Sequence, residues 1–207
     1  MLAIWTALAI VGVMSFVFER WSLGFISLAT LALSLVPLLA ASRWQLSLPL
    51  PFLLATTLFC IASILLGEAF DFYERLWWWD LALHGTASIS FGMMGFLFVF
   101  MLFEGDRFSA PASAIAFITF CVAMTIGTVW EIFEFVMDLA FGLNMQKSGL
   151  NDTMGDLMID AIGGAIASAA GYFYLTDNSV GPFGQLFTQF VELNKRLYAR
   201  YRKRIGK

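Results

Sequence analysis

Residues 111–141 read PASAIAFITFCVAMTIGTVWEIFEFVMDLAF, an apolar run whose only charges, Glu131, Glu134 and Asp138, fall in its last third. Such a run exceeds the roughly 20 residues that carry a helix across bilayer hydrocarbon. Working outward, comparable blocks occupy 2–18, 22–41, 50–70, 79–103 and 153–175. Short connections at Glu19-Arg20, Ser42 to Pro49, Asp71 to Trp78, Glu104 to Ala110 and Asn144 to Asp152 separate them. The composition agrees, being 60% apolar and 13% charged with a mean hydropathy of +0.80, far from that of a soluble all-α bundle. Backbone groups in lipid must be satisfied within the segment or by closure of a barrel. These blocks lack the two-residue alternation of an outer-membrane barrel. The expected fold is therefore all-α: a polytopic transmembrane helix bundle of about six spans over residues 1–178, followed by an amphipathic basic tail over 179–207.

The first block, Leu2 to Phe18, has the length of a signal peptide but no Lys or Arg before it; Arg20 lies behind it. It reads as a retained helix. Cys60 and Cys121 sit in apolar blocks without CxxC or Cys/His spacing and read as small packing residues. Trp77, Trp78 and Trp79, with Phe72 and Tyr73, read as an anchor at the water–lipid boundary. Past Gly181-Pro182, Phe183, Leu186, Phe187, Phe190, Leu193 and Leu197 recur at helical spacing, as in an interfacial helix. Lys195, Arg196, Arg200, Arg202, Lys203, Arg204 and Lys207 follow, seven of the twelve basic residues. The positive-inside rule puts that cluster in the cytoplasm, and six spans put the N-terminus there too. Beside a membrane the basic tail suits anionic headgroups rather than nucleic acid.

With this topology the acids converge on the outer half of the bundle. Glu68 and Asp71 end the third block and Asp80 and His84 open the fourth. The fifth carries Glu131, Glu134 and Asp138, and the sixth Asp152, Asp156 and Asp160. Spacings of i,i+4 for 80/84, i,i+3,i+7 for 131/134/138 and i,i+4,i+8 for 152/156/160 each line one helix face. An ionised carboxylate in a bilayer costs several kcal/mol unless paired, protonated or metal-bound. Arg75, Lys147 and Arg20 are too few to pair them all, which leaves shared protons, water access or a bound cation.

The expected site is a metal site built from His84, Glu131, Glu134, Asp152 and Asp156. Oxygen donors suit Mg²⁺, Mn²⁺ or Ca²⁺, and the lone histidine adds Zn²⁺ and Fe²⁺. Asn151, Thr153, Thr128 and Gln146 are candidate supporting groups. There is no HExxH and no Glu-x-x-His pair. The plainer reading makes Asp71, Glu74, Asp80 and Asp152 wet helix ends, with Asp80 and Asp152 serving as caps.

Tyr73-Glu74, His84-Gly85, Trp130-Glu131-Ile132-Phe133-Glu134, Gln146 and Asp152-Thr153-Met154-Gly155-Asp156 over roughly 70–175 resemble the pattern of the YjdF-like family of multi-pass bacterial inner-membrane proteins. The resemblance implies a bacterial inner-membrane location and supports the site, but implies no activity. Asp138 and Asp160 lie outside the family pattern. A looser likeness of layout links the chain to VanZ-like membrane proteins.

The expected function is thus an outward-facing intramembrane His/Glu/Asp site binding a divalent cation, acting, if catalytic, on a lipid-linked or periplasmic substrate. The alternatives are an accessory or scaffold subunit packing on membrane partners or pigments, and a cation or proton transporter. The transporter would need polar residues continuing to the cytoplasmic face, where the helices instead become apolar or small.

Overall fold

The computed structural model describes residues 1–103, 110–176 and 181–196. Residues 104–109, the polar stretch at 177–180 and the tail from Leu197 onward, with five of its seven basic residues, lie outside the described residues. Among the described residues there are helices and no strand, in the order α1 (Leu2–Val17), α2 (Trp21–Trp44), α3 (Leu50–Cys60, continued by a π-helical segment Ile61–Ala69), α4 (Phe72–Arg75), α5 (Trp79–Phe103), α6 (Ala112–Phe141), α7 (Leu150–Thr176) and α8 (Pro182–Leu193). Five of these stretches are long and apolar enough to cross a membrane: Trp21–Trp44, Leu50–Ala69, Trp79–Phe103, Ala112–Phe141 and Leu150–Thr176. The remaining apolar block, α1, has 16 residues, about 24 Å of helix against a hydrocarbon core of roughly 30 Å. Of the six expected spans, five are thus helices of bilayer length, and the first block forms a further, shorter apolar helix.

Two boundaries differ from the sequence expectation for visible reasons. α2 runs past residue 41 to Trp44 with Pro37 inside it, ending on Gln45 in the left-handed conformation; proline is tolerated in apolar spans where neighbours satisfy the freed carbonyl. α7 begins at Leu150 rather than 153 because Asp152 accepts a hydrogen bond from the Lys147 backbone N–H at 3.0 Å, tying the preceding turn to the helix start.

The chain divides into two compact units, Met1–Trp79 and Asp80–Lys207. In the first, α1 and α2 pack antiparallel, with Gly12 against Leu28 and Gly24 against Phe16. Thr30, Ser34 and Thr57 are buried there, and each bonds a carbonyl of its own preceding turn at 2.8–2.9 Å. No polar hydrogen of these three is left to lipid. The ring of Tyr73 lies over Gly67 in the π segment, and its hydroxyl is 3.1 Å from Ser63 Oγ.

In the second unit, α5 and α7 begin at the end where α6 finishes. Small residues let the three helices meet: a methyl placed on Gly163 would lie 2.9 Å from the Gly85 carbonyl, and one on Gly92 would lie 2.6 Å from Ala167 Cβ. Far from that end, Phe96, Val99, Ile115 and Phe187 form an apolar core. α8 supplies Phe187, whose ring centroid lies 4.5 Å from that of Phe96 and 5.4 Å from that of Tyr174. The amphipathic helix expected from the spacing of Phe183, Leu186, Phe187 and Phe190 therefore turns its apolar face onto α5 and α7, with Gly184 and Phe187 buried.

Candidate functional site

The acidic faces of α5, α6 and α7 turn inward. On α6 the opposite face, Val129, Ile132, Val136 and Leu139, is exposed, while Glu131 and Glu134 are 3% and 6% exposed. The helical period thus sorts one span into a lipid-facing stripe and an acid-bearing stripe. Asp156 and Asp160 are likewise buried on α7, as is His84 on α5. Their Cα atoms lie about 8–15 Å along the helices from the nearest helix end.

His84 organises the cluster. Its Nδ1 is 3.3 Å from Asp160 Oδ2. That carboxylate comes so close because position 127 on α6 is glycine: a methyl there would collide with Asp160. Ser88, one turn beyond His84, donates to the Asp160 backbone carbonyl at 2.6 Å and locks α5 to α7 at this level. The other imidazole nitrogen, Nε2, faces Glu131 Oε1 at 3.6 Å and Asp80 Oδ1 at 4.0 Å. Both separations exceed a hydrogen bond. One donor atom each from Asp80, His84 and Asp156 lies within 4.8 Å of the other two.

Of the residues expected in a metal site, the structure brings His84 and Asp156 together and sets Glu131 beside the imidazole. Glu134 stands beside them on α6, its Oε1 accepting from the indole Nε1 of Trp130 at 2.8 Å. Neither oxygen of Glu131 has a hydrogen-bond partner, nor has Glu134 Oε2, although all three atoms are buried. Thr153 lies near Glu131 without hydrogen-bond geometry. Asp152 is half-buried, engaged by the Lys147 N–H, and close enough to Asp80 and Asp156 for their charges to interact.

Asp80 and Asp160 complete the cluster and were not in the expected metal site. The signal for both was spacing alone, Asp80 four residues before His84 and Asp160 four after Asp156. Asp138, on the same face of α6, does other work. Its two oxygens accept from the backbone N–H groups of Met145 at 2.7 Å and Gln146 at 2.9 Å, folding the 142–149 connection onto the end of α6. Gln146 Nε2 then donates to Thr153 Oγ1 at 2.6 Å, so those two expected supporting groups bind each other. Thr128 and Asn151 are exposed.

The arrangement can do two things chemically. A histidine held at Nδ1 by a carboxylate presents Nε2 as a metal ligand in a fixed orientation, and surrounding carboxylates supply the oxygen donors a divalent cation takes. Alternatively, a protonated imidazole can neutralise part of the negative charge.

A family model described as "Predicted membrane protein" (DUF2238) matches residues 1–177. An uncharacterized protein of Thermotoga maritima is 31% identical over 98 residues, 47% of this chain and 50% of that protein, so the chain spans about half the length of this curated relative. No solved structure matches the chain. These findings agree with the YjdF-like resemblance at the level of an uncharacterised membrane-protein family and do not carry its narrower name. With spans of bilayer length and a family match over most of its residues, the chain is an integral membrane protein and belongs to the DUF2238 family of predicted membrane proteins.

Proposed function

We propose that this membrane protein holds a divalent cation between α5, α6 and α7, with Asp80, His84, Glu131 and Asp156 as ligands and Asp160 orienting the imidazole. The centre faces the outer side of a bacterial inner membrane, where the ion would act on a lipid-linked or periplasmic substrate. The observation that carries the reading is the environment of His84 Nε2. It faces two carboxylates at 3.6 and 4.0 Å, too far to hydrogen-bond them, and two donors on one tetrahedral ion are separated by roughly 3.3–3.4 Å. One donor atom from each of Asp80, His84 and Asp156 lies within 4.8 Å of the other two, so small side-chain movements bring all three onto one ion. Glu131, buried with neither oxygen hydrogen-bonded and with only the His84 imidazole at 3.6 Å to balance it, is the group that otherwise has the least reason to be there.

A bound ion of this kind polarises substrate oxygens and lowers the pKa of a coordinated water. A through-pathway is the weaker reading, because Phe96, Val99, Ile115 and Phe187 fill the far end of the same three helices and α8 with apolar side chains.

The test is metal content by mass spectrometry on chain purified in detergent without chelator, comparing wild type with His84→Asn and Asp156→Asn. Near-stoichiometric metal in wild type, lost in both variants while helical content is retained, supports the reading. Metal in none of the samples sinks it and leaves a His84-centred ion-pair cluster in an accessory subunit.

A further inference from the structure

α8 spends its anchor on protein rather than on lipid. Phe187 is fully buried and joins Phe96, Val99 and Ile115 in one core, with Phe183 packed against it. Its ring meets Phe96 about two helical turns before the end of α5, and Tyr174 within a turn of the end of α7. α8 is thereby held at the ends of these spans opposite the acid cluster, where hydrocarbon gives way to headgroups. Leu186, Phe190 and Val191 are half-buried, and Gln185, Thr188, Gln189 and Glu192 form the exposed face. An amphipathic helix that lay free on a bilayer would turn its largest apolar side chain into the acyl boundary. Here that side chain is already used.

What α8 offers at its C-terminal end is charge. Asn194 closes the helix and is buried, its Nδ2 donating to the Phe190 carbonyl at 2.8 Å. Lys195 and Arg196 follow at once, and both are exposed. Lys195 Nζ stands 3.9 Å from Glu192 Oε1 with both side chains well exposed, a pairing that holds the ammonium only weakly. Glu192 is the only acid in the sequence from residue 181 to 207, against seven basic residues. A basic surface fixed at the boundary of an integral membrane protein meets the phosphates of the adjacent leaflet before any soluble polyanion.

We propose that the C-terminal end of α8, beginning at Lys195 and Arg196, is a docking surface for anionic phospholipid headgroups. It is independent of the cation site. Because the buried Phe187 and Asn194 hold the basic pair at a fixed level, headgroup binding and the docking of α8 on the bundle reinforce each other. The attraction follows headgroup charge and is screened by salt. Each Lys or Arg near an anionic surface strengthens association about fivefold, so the pair carries a factor of roughly 25.

The experiment reconstitutes the full chain in nanodiscs of phosphatidylcholine alone, or of phosphatidylcholine with an equal part of phosphatidylglycerol, and follows hydrogen exchange over 182–193. Wild type is compared with the double change Lys195→Gln and Arg196→Gln, and with the charge-keeping double change Lys195→Arg and Arg196→Lys. Exchange at 80–88 serves as the reference for an intact bundle. The expected result is slower exchange of α8 in the phosphatidylglycerol discs, in wild type and in the charge-keeping variant. That protection should shrink in the glutamine variant, by up to roughly 25-fold, and fade at about 1 M salt, where the screening length is roughly 3 Å. Equal exchange of wild type in the two discs overturns the proposal, and that comparison needs no variant to fold. Protection that salt and the glutamine variant leave intact overturns it as well. Protection gained in phosphatidylcholine discs only on adding an RNA oligonucleotide also overturns it and assigns the surface to nucleic acid.

Discussion

Asp160 and Gly127 set the orientation of His84, and each makes a separate prediction. Asp160 reaches Nδ1 only because Gly127 has no side chain. Removing the group that orients a metal-binding histidine typically costs 10- to 100-fold in metal affinity. Asp160→Ala should therefore weaken metal binding by about that factor, while Asp160→Asn, which keeps an oxygen acceptor, should recover much of it; isothermal titration in detergent reads the difference. Equal loss in both would show that Asp160 contributes charge rather than orientation. Gly127→Ala should resemble Asp160→Ala in metal affinity, since the methyl pushes the carboxylate aside. At this scale the sequence was informative to the extent that spacing is. Periodicity assigned His84, Glu131 and Asp156 to facing stripes, and the same arithmetic reached Asp80 and Asp160. What periodicity cannot encode is which carboxylate of a stripe points across the interface and which bonds its own loop. Asp156 and Asp152 share a face, yet one faces the histidine and the other holds the Lys147 N–H.

The α6–α7 connection and α8 are the elements where tertiary contacts add most to local propensity. Asp138 holds two backbone N–H groups of the connection, and a net hydrogen bond is worth about 1 kcal/mol, more when a donor is left unpaired. Asp138→Ala should lower stability by about 1–3 kcal/mol and make the connection cleavable by added protease, with metal affinity changed far less than by Asp160→Ala. For α8 the anchor is Phe187, fully buried among Phe96, Phe183 and Tyr174. Truncating a buried phenylalanine costs about 3–5 kcal/mol, so Phe187→Ala should release α8. The loss would be visible as increased hydrogen exchange in 182–193, whereas exchange at 80–88 should stay unchanged. Helices α5, α6 and α7 were legible because lipid forces each apolar block to satisfy its own backbone. The π-helical turn at Ile61–Ala69 was not, because its extra residue per turn accommodates Tyr73 over Gly67, a contact between positions that no linear pattern connects.

For the molecule as a whole, the number of crossings decides where the ends lie. Five full-length spans put the termini on opposite sides; counting α1 as a sixth puts them together. α1 falls about 6 Å short of a typical core, a mismatch that local thinning of the bilayer accommodates at a fraction of a kcal/mol per ångström. The chain should therefore cross six times, with Lys195 and Arg196 cytoplasmic and the N-terminus beside them. Reporter fusions at the two ends should both give cytoplasmic signals in an inner membrane; opposite signals would remove α1 from the count.

The Asp138 clamp also bears on how such a chain enters the membrane during synthesis. α6 carries Glu131 and Glu134 and α7 carries Asp156 and Asp160, and each acid at mid-helix adds up to roughly 3 kcal/mol to the cost of inserting a helix by itself. Two backbone hydrogen bonds from Asp138, and Gln146 on Thr153, fold the connection so that α6 and α7 form a hairpin. A hairpin can turn its acids toward each other before either helix meets lipid. The translocon would then receive α6 and α7 as one unit, and the later helix, with the most acidic start, would depend on the earlier one for its entry.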